Sequence, residues 1–343
     1  MRTAIVLLVL SASVASCHAC ADVANAPPDA AASSVDAIPD ALASFDGAAD
    51  ADGADADDAE PDSGLLHADG PLTFRLASGN DVPGGRPNAW AYVPKRFRAS
   101  RPLHVVVLFH GFRNCIFSCT SLGGRPCEPM GPKRTGYDLV NQMERGESGA
   151  LLVVPEIAFN TTSSDPLKLG QKGGLRTFLE ELLDHALAPY IGEHRSRDVE
   201  RLALGASSGG YQALLPALEI GGEPVTDLYF FDALYVQPIK GSALGDFLWK
   251  SVDDFDPSRP VPKRFGVVYT DNGGATDQSV ATANDVRRWL EDAGHESWGS
   301  YAKRDAEPTV EDLTPPIAIV FSGSEHDKIM HRDFWTVMKA SGL

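Results

Sequence analysis

Two adjacent serines, Ser207 and Ser208, stand in the run RLALGASSGGYQALL, residues 201–215, with small residues on both sides. Gly205, Ser207 and Gly209 satisfy G-x-S-x-G, and Ala206 and Gly210 give Ser208 the related A-x-S-x-G pattern. A serine hydroxyl is a poor nucleophile until an imidazole takes its proton, and the imidazole needs a carboxylate to fix its tautomer and stabilise its charged form. The chain offers one histidine directly after its last apolar run, His326 in SGSEHDK, with His331 the alternative further along. Two acids lie between serine and histidine, Asp232 in FFDALY and Asp271 in VVYTDNGG. Asp232 is favoured because apolar neighbours surround it, and an ionised carboxylate in such a setting needs a partner. TDNGG around Asp271 is also ordinary turn chemistry.

These residues are useful only if strands and turns bring them together. HVVVLFHGF (104–112) and ALLVVPEIAF (150–159) are nearly continuous apolar runs, as expected for strands buried on both faces. VERLALGAS, DLYFFDALYV, RFGVVYT and IAIVFSGS follow at intervals that leave room for helices. GLRTFLEELLDHALAPYI has helical spacing, with Leu175, Phe178, Leu179, Leu182 and Leu183 on one face. Alternating strands and helices predict an α/β fold with a mostly parallel central sheet flanked by helices. PLTFRLASG and NAWAYVP read as an antiparallel pair at its edge. The strand before the serines is expected to end at Leu204 and the next helix to start near Tyr211. A tight strand-turn-helix of this kind needs small residues and a strained serine backbone.

Serine, acid and histidine in that order, each just beyond a strand end, resemble the α/β-hydrolase fold over about residues 72–340. GASSGG is similar to the G-x-S-x-G-G elbow of secreted feruloyl esterases and polyhydroxybutyrate depolymerases, which favours Ser207. In the other register, SSGGY with DALY resembles uncharacterised bacterial hydrolases, lipoproteins among them, that carry H-S-G-G-Y; Ser207 then stands where they have histidine. The resemblance implies a Ser-His-Asp hydrolase of carboxylic esters without metal or organic cofactor. It implies an oxyanion hole from backbone N–H groups at Gly111 and Phe112 and at Gly209, the residue after the nucleophile in one register. Phe112, Arg113, Asn114 and Tyr211 would meet a small-molecule or polymeric ester substrate. Two other functions compete: an amidase or peptidase acting on cell-wall material, and a non-catalytic surface-binding lipoprotein with the same fold. Glu156, in VVPEIAF, reads as a structural hydrogen-bonding group.

The chain's net charge is −17, but residues 17–64 alone hold twelve Asp and Glu and no Lys or Arg. Such a segment repels itself and can bury almost nothing, so it is expected to be a disordered linker. No basic stripe of the kind a phosphate backbone requires is present, which argues against nucleic acid. Residues 1–16 combine Arg2 with a short apolar run and read as a signal peptide. VASC, residues 14–17, resembles the lipobox of bacterial lipoproteins, which implies lipidation at Cys17, a membrane partner through that anchor only, and a place in the cell envelope, facing periplasm or cell surface from the outer membrane. Residues 65–343 are left as the hydrolase domain. Export favours a disulfide among Cys115, Cys119 and Cys127, with Cys20 a poor fourth partner and one thiol left over. A zinc site there lacks a fourth ligand apart from His110.

Overall fold

The computed structural model describes residues 66, 68, 70–271 and 275–343. The expected signal peptide, the linker and Cys17 lie outside the described residues. One sheet organises the rest. Its strands are β1 (Leu72–Phe74), β2 (Ala89–Tyr92), β3 (Leu103–Phe109), β4 (Leu151–Pro155), β5 (Val199–Ser207), β6 (Asp227–Phe231), β7 (Arg264–Tyr269), β8 (Gly299–Ser300) and β9 (Ile317–Phe321). Their spatial order is β1-β2-β4-β3-β5-β6-β7-β9-β8. The pairs β1–β2 and β2–β4 are antiparallel, and every other pair is parallel.

The apolar strands are buried on both faces, and alternate residues supply two separate cores. Val105, Val107 and Phe109 of β3, with Leu204 and Ala206 of β5, pack toward α3 (Gly174–Glu181), α5 (Tyr211–Ile220), α6 (Ala243–Trp249) and α7 (Ala275–Ala293). Val106 and Leu108, with Tyr229 and Phe231 of β6, face α1 (Ile116–Cys119), α2 (Leu139–Arg145), α8 (Val310–Leu313) and α9 (Ile329–Ser341). The remaining short helix, α4 (Ala188–Ile191), continues the chain beyond α3.

Two expectations are corrected. The single helix expected over residues 174–191 is broken: after α3 the turns widen, with Leu187 N–H bonded to the Leu182 carbonyl five residues back. Pro189, which has no N–H and whose ring would strike a carbonyl of the preceding turn, forces the chain to restart as α4. The strand expected to end at Leu204 continues to Ser207, because Ser207 still pairs with Phe231 of β6. That extension moves the turn by three residues.

Register then aligns the carboxyl ends. Phe109 pairs with Ala206, Ser207 with Phe231, Phe231 with Val268, and Tyr269 with Phe321. The segments that follow, at 110–112, 208–210, 232, 270–271 and 322–326, emerge along one edge of the sheet, where open parallel sheets place their sites.

Candidate active site

At Ser208 the backbone turns into the left-handed region, φ +48°, between the end of β5 and the start of α5. That conformation is uncommon for a residue with a side chain, and strain of this kind gathers at functional positions. The following glycines let the turn close. A Cβ at Gly210 would lie 2.4 Å from the Phe109 carbonyl oxygen, and one at Gly209 would lie 2.3 Å from the Phe112 ring. Gly111 is close in from the other side, where a Cβ would stand 3.2 Å from Ser208 Cβ. The elbow and the loop after β3 are therefore in backbone contact.

His326 stands between Ser208 and Asp232. Its Nε2 is 3.0 Å from Ser208 Oγ, and its Nδ1 is hydrogen-bonded to Asp232 Oδ2. Asp232 follows β6 with a φ of +45° and is buried; its backbone N–H donates to the Val268 carbonyl and its Oδ1 accepts from Thr270 N–H at 3.4 Å. The hydrogen bond to Asp232 raises the His326 pKa above the ordinary imidazole value, against a lowering by burial. The loop holding His326 is itself tied down. Ser322 donates from N–H to Tyr269 and from its hydroxyl to Asp333 Oδ2, while Ser324 N–H donates to Ser322 Oγ. Buried Asp333 has a pKa pushed up to about 7 by desolvation.

Ser207, favoured on the motif, is placed otherwise. As the last residue of β5 it has extended dihedrals, φ −106° and ψ 130°, and its side chain lies near the Tyr137 hydroxyl, not a histidine. The Tyr137 hydroxyl, its pKa pushed up to about 12 by burial, also accepts long contacts of 3.5 Å from Gly111 N–H and from Asn114 Nδ2. Asp271 is exposed at the end of β7, within 3.3 Å of the Thr270 hydroxyl and away from His326. His331 is exposed inside α9. Phe112 is exposed at the mouth of the cleft, and the Tyr211 ring packs tilted against Tyr235 with centroids 5.4 Å apart. Ser207, Ser208, His326, Gly111 and Phe112 all line one cleft of about 240 Å³.

Tyr235 was not singled out from the sequence, and His110 was read as part of the oxyanion segment or a zinc ligand, not as a partner of Glu156. Tyr235 lies beside Ser208, and burial with the nearby Asp232 charge pushes its pKa up to about 12. His110 is buried, with Nε2 2.8 Å from Glu156 Oε1 and Nδ1 3.0 Å from the Gly111 carbonyl. Glu156 Oε2 accepts from Ile116 N–H. This pair fixes the loop after β3 from below, in keeping with a structural Glu156, and it leaves His110 facing a carboxylate instead of the thiols. Of the three cysteines, Cys115 and Cys127 form a disulfide and Cys119 is a buried free thiol.

A family model described as a putative esterase matches residues 81–224, a segment with both serines and the loop at 110–112, but not Asp232 or His326. Over that segment the chain is similar to esterases, within a mostly parallel α/β sheet. No curated protein sequence matches it. Among solved structures it is similar to the feruloyl esterase module of Clostridium thermocellum, with 8% identity, TM-score 0.47, and 82% and 89% of the two chains covered. It is also similar to a fluorophosphonate-binding serine hydrolase of Staphylococcus aureus, with 12% identity, TM-score 0.41, and coverage of 78% and 97%. Carboxyl esterase 2 of Tuber melanosporum gives 14% identity, TM-score 0.39, and coverage of 84% and 85%. These likenesses are distant.

Proposed function

We propose that the protein cleaves carboxylic esters with Ser208 as nucleophile, His326 as base and Asp232 as the supporting carboxylate. The observation that supports this most is the position of His326, with one ring nitrogen 3.0 Å from Ser208 Oγ and the other on buried Asp232. His326 Nε2 takes the proton as Ser208 Oγ adds to the ester carbonyl, and Asp232 stabilises the imidazolium. The oxyanion forms between the backbone N–H groups of Gly209 and of the Gly111–Phe112 turn. His326 then gives its proton to the alkoxide leaving group as the tetrahedral carbon collapses. Water, deprotonated by His326, adds to the acyl-serine, and its collapse frees the acid and restores Ser208.

Export and lipid anchoring at Cys17 complete the reading, supported by the residue pattern of positions 1–17 and by the acidic spacer of 17–64. The test of the chemistry is a panel of 4-nitrophenyl esters with the matching 4-nitroanilides. Turnover of esters well ahead of anilides is expected, and turnover of anilides alone would contradict it. For the anchor, Cys17→Ala should move the protein from the membrane to the soluble fraction.

A further inference from the structure

The chain is strongly acidic, yet the wall of the Ser208 cleft carries three cations, Arg113, Lys133 and Arg134. Among the described residues lining it, Asp327 is the one carboxylate. Elsewhere on the surface many cations are matched: Lys168 with Asp81, Arg176 with Glu223, Lys263 with Asp254 and Lys328 with Glu325. Among the described residues none of the three cleft cations has an ion pair. Arg134 Nη2 donates to Asn160 Oδ1 at 3.2 Å, but its Nε is buried with no acceptor. A buried donor of this sort usually has a partner.

The backbone beneath these cations is fixed. The Cys115–Cys127 disulfide closes the stretch between Arg113 and Lys133, Lys133 forms a bridge with Pro126, and Arg134 N–H donates to the Arg125 carbonyl at 3.1 Å. Arg113 N–H donates to the Thr161 carbonyl at 2.6 Å, and Asn114 Nδ2 to the Thr135 carbonyl at 3.0 Å. Cations held at the rim of a cleft with low-dielectric walls focus the field on its interior and raise the local concentration of anions. Guanidinium groups also match the planar geometry of a carboxylate.

We infer that the favoured substrates are esters carrying a free carboxylate near the scissile bond, received by Arg113, Lys133 and Arg134. This rests on the ester-hydrolase reading of the same cleft. The test compares 4-nitrophenyl mono-adipate with its methyl-capped, neutral counterpart, using the full chain at low and high salt. The inference expects kcat/KM for the charged ester to exceed that for the neutral one by roughly tenfold at low ionic strength, falling as salt is added. In the exposed Lys133→Gln variant, and further in the Arg113→Gln, Lys133→Gln double variant, the ratio should fall toward one. Cleavage of both esters with a ratio of one or less overturns the inference and leaves the hydrolase reading intact. Labelling of Ser208 by a fluorophosphonate with no cleavage of the charged ester overturns it too. Failure of cleavage and labelling together removes both.

Discussion

Replacing Asp232 by asparagine tests how the imidazole is held. Asn is nearly isosteric, tolerates the positive φ of +45° and removes one buried charge, so the fold should persist. The local hydrogen bonds decide which way the new amide points. Thr270 N–H donates toward Oδ1 at 3.4 Å, so the amide oxygen takes that position and the NH2 group faces His326 Nδ1. Nδ1 must then accept, its proton moves to Nε2, and Nε2 meets Ser208 as a donor that cannot take the hydroxyl proton. A wrong tautomer in such an arrangement lowers turnover by about 10⁴, or about 5.5 kcal/mol of transition-state stabilisation at 1.36 kcal/mol per decade. The pH profile gives a second readout. The base must be neutral, so activity is lost as pH falls through the His326 pKa, which the bond to Asp232 raises above its ordinary value. The acid limb of kcat/KM should therefore move to lower pH in the variant. Steady-state hydrolysis from pH 5 to 9, with circular dichroism as a fold control, measures both. A loss under tenfold, or an unmoved acid limb in a folded variant, would refute this account of Asp232.

Other outcomes follow from the same geometry. Gly210→Ala places a methyl group 2.4 Å from the Phe109 carbonyl, so the elbow must shift; thermal unfolding should show a loss of about 1–3 kcal/mol, with kcat falling further than stability explains. Asp333 has its pKa raised to about 7, so the folded state holds a proton that the unfolded state gives up near 4, and stability should fall as pH rises through that window. Asp333→Asn should flatten that dependence in denaturant titrations from pH 4 to 8, and an unchanged slope would contradict it. Paired Cys115→Ser and Cys127→Ser substitutions open a loop of separation 12 and should lower stability by about 3 kcal/mol, read by denaturant midpoints.

The sheet was legible because buried parallel strands write themselves as apolar runs, and each run placed its polar follower at the same edge. His326 and Asp232 could be read in this way, the first from its place after the last strand and the second from its apolar surroundings. The serine register was harder. G-x-S-x-G fits Ser207 by letter, but the end of β5 depends on pairing with β6, which no local pattern states. Leu202, Leu204 and Ala206 face one core and Ala203 the other, so the period of two runs on past Leu204. Tyr235 and the His110–Glu156 pair were less accessible, because their partners lie far along the chain.

The most direct measurement is fluorophosphonate labelling of the folded protein followed by peptide mass mapping, with Ser207→Ala and Ser208→Ala in parallel. The account predicts the adduct on Ser208, its retention in Ser207→Ala and its loss in Ser208→Ala. An adduct on Ser207, or labelling that survives Ser208→Ala, would contradict it.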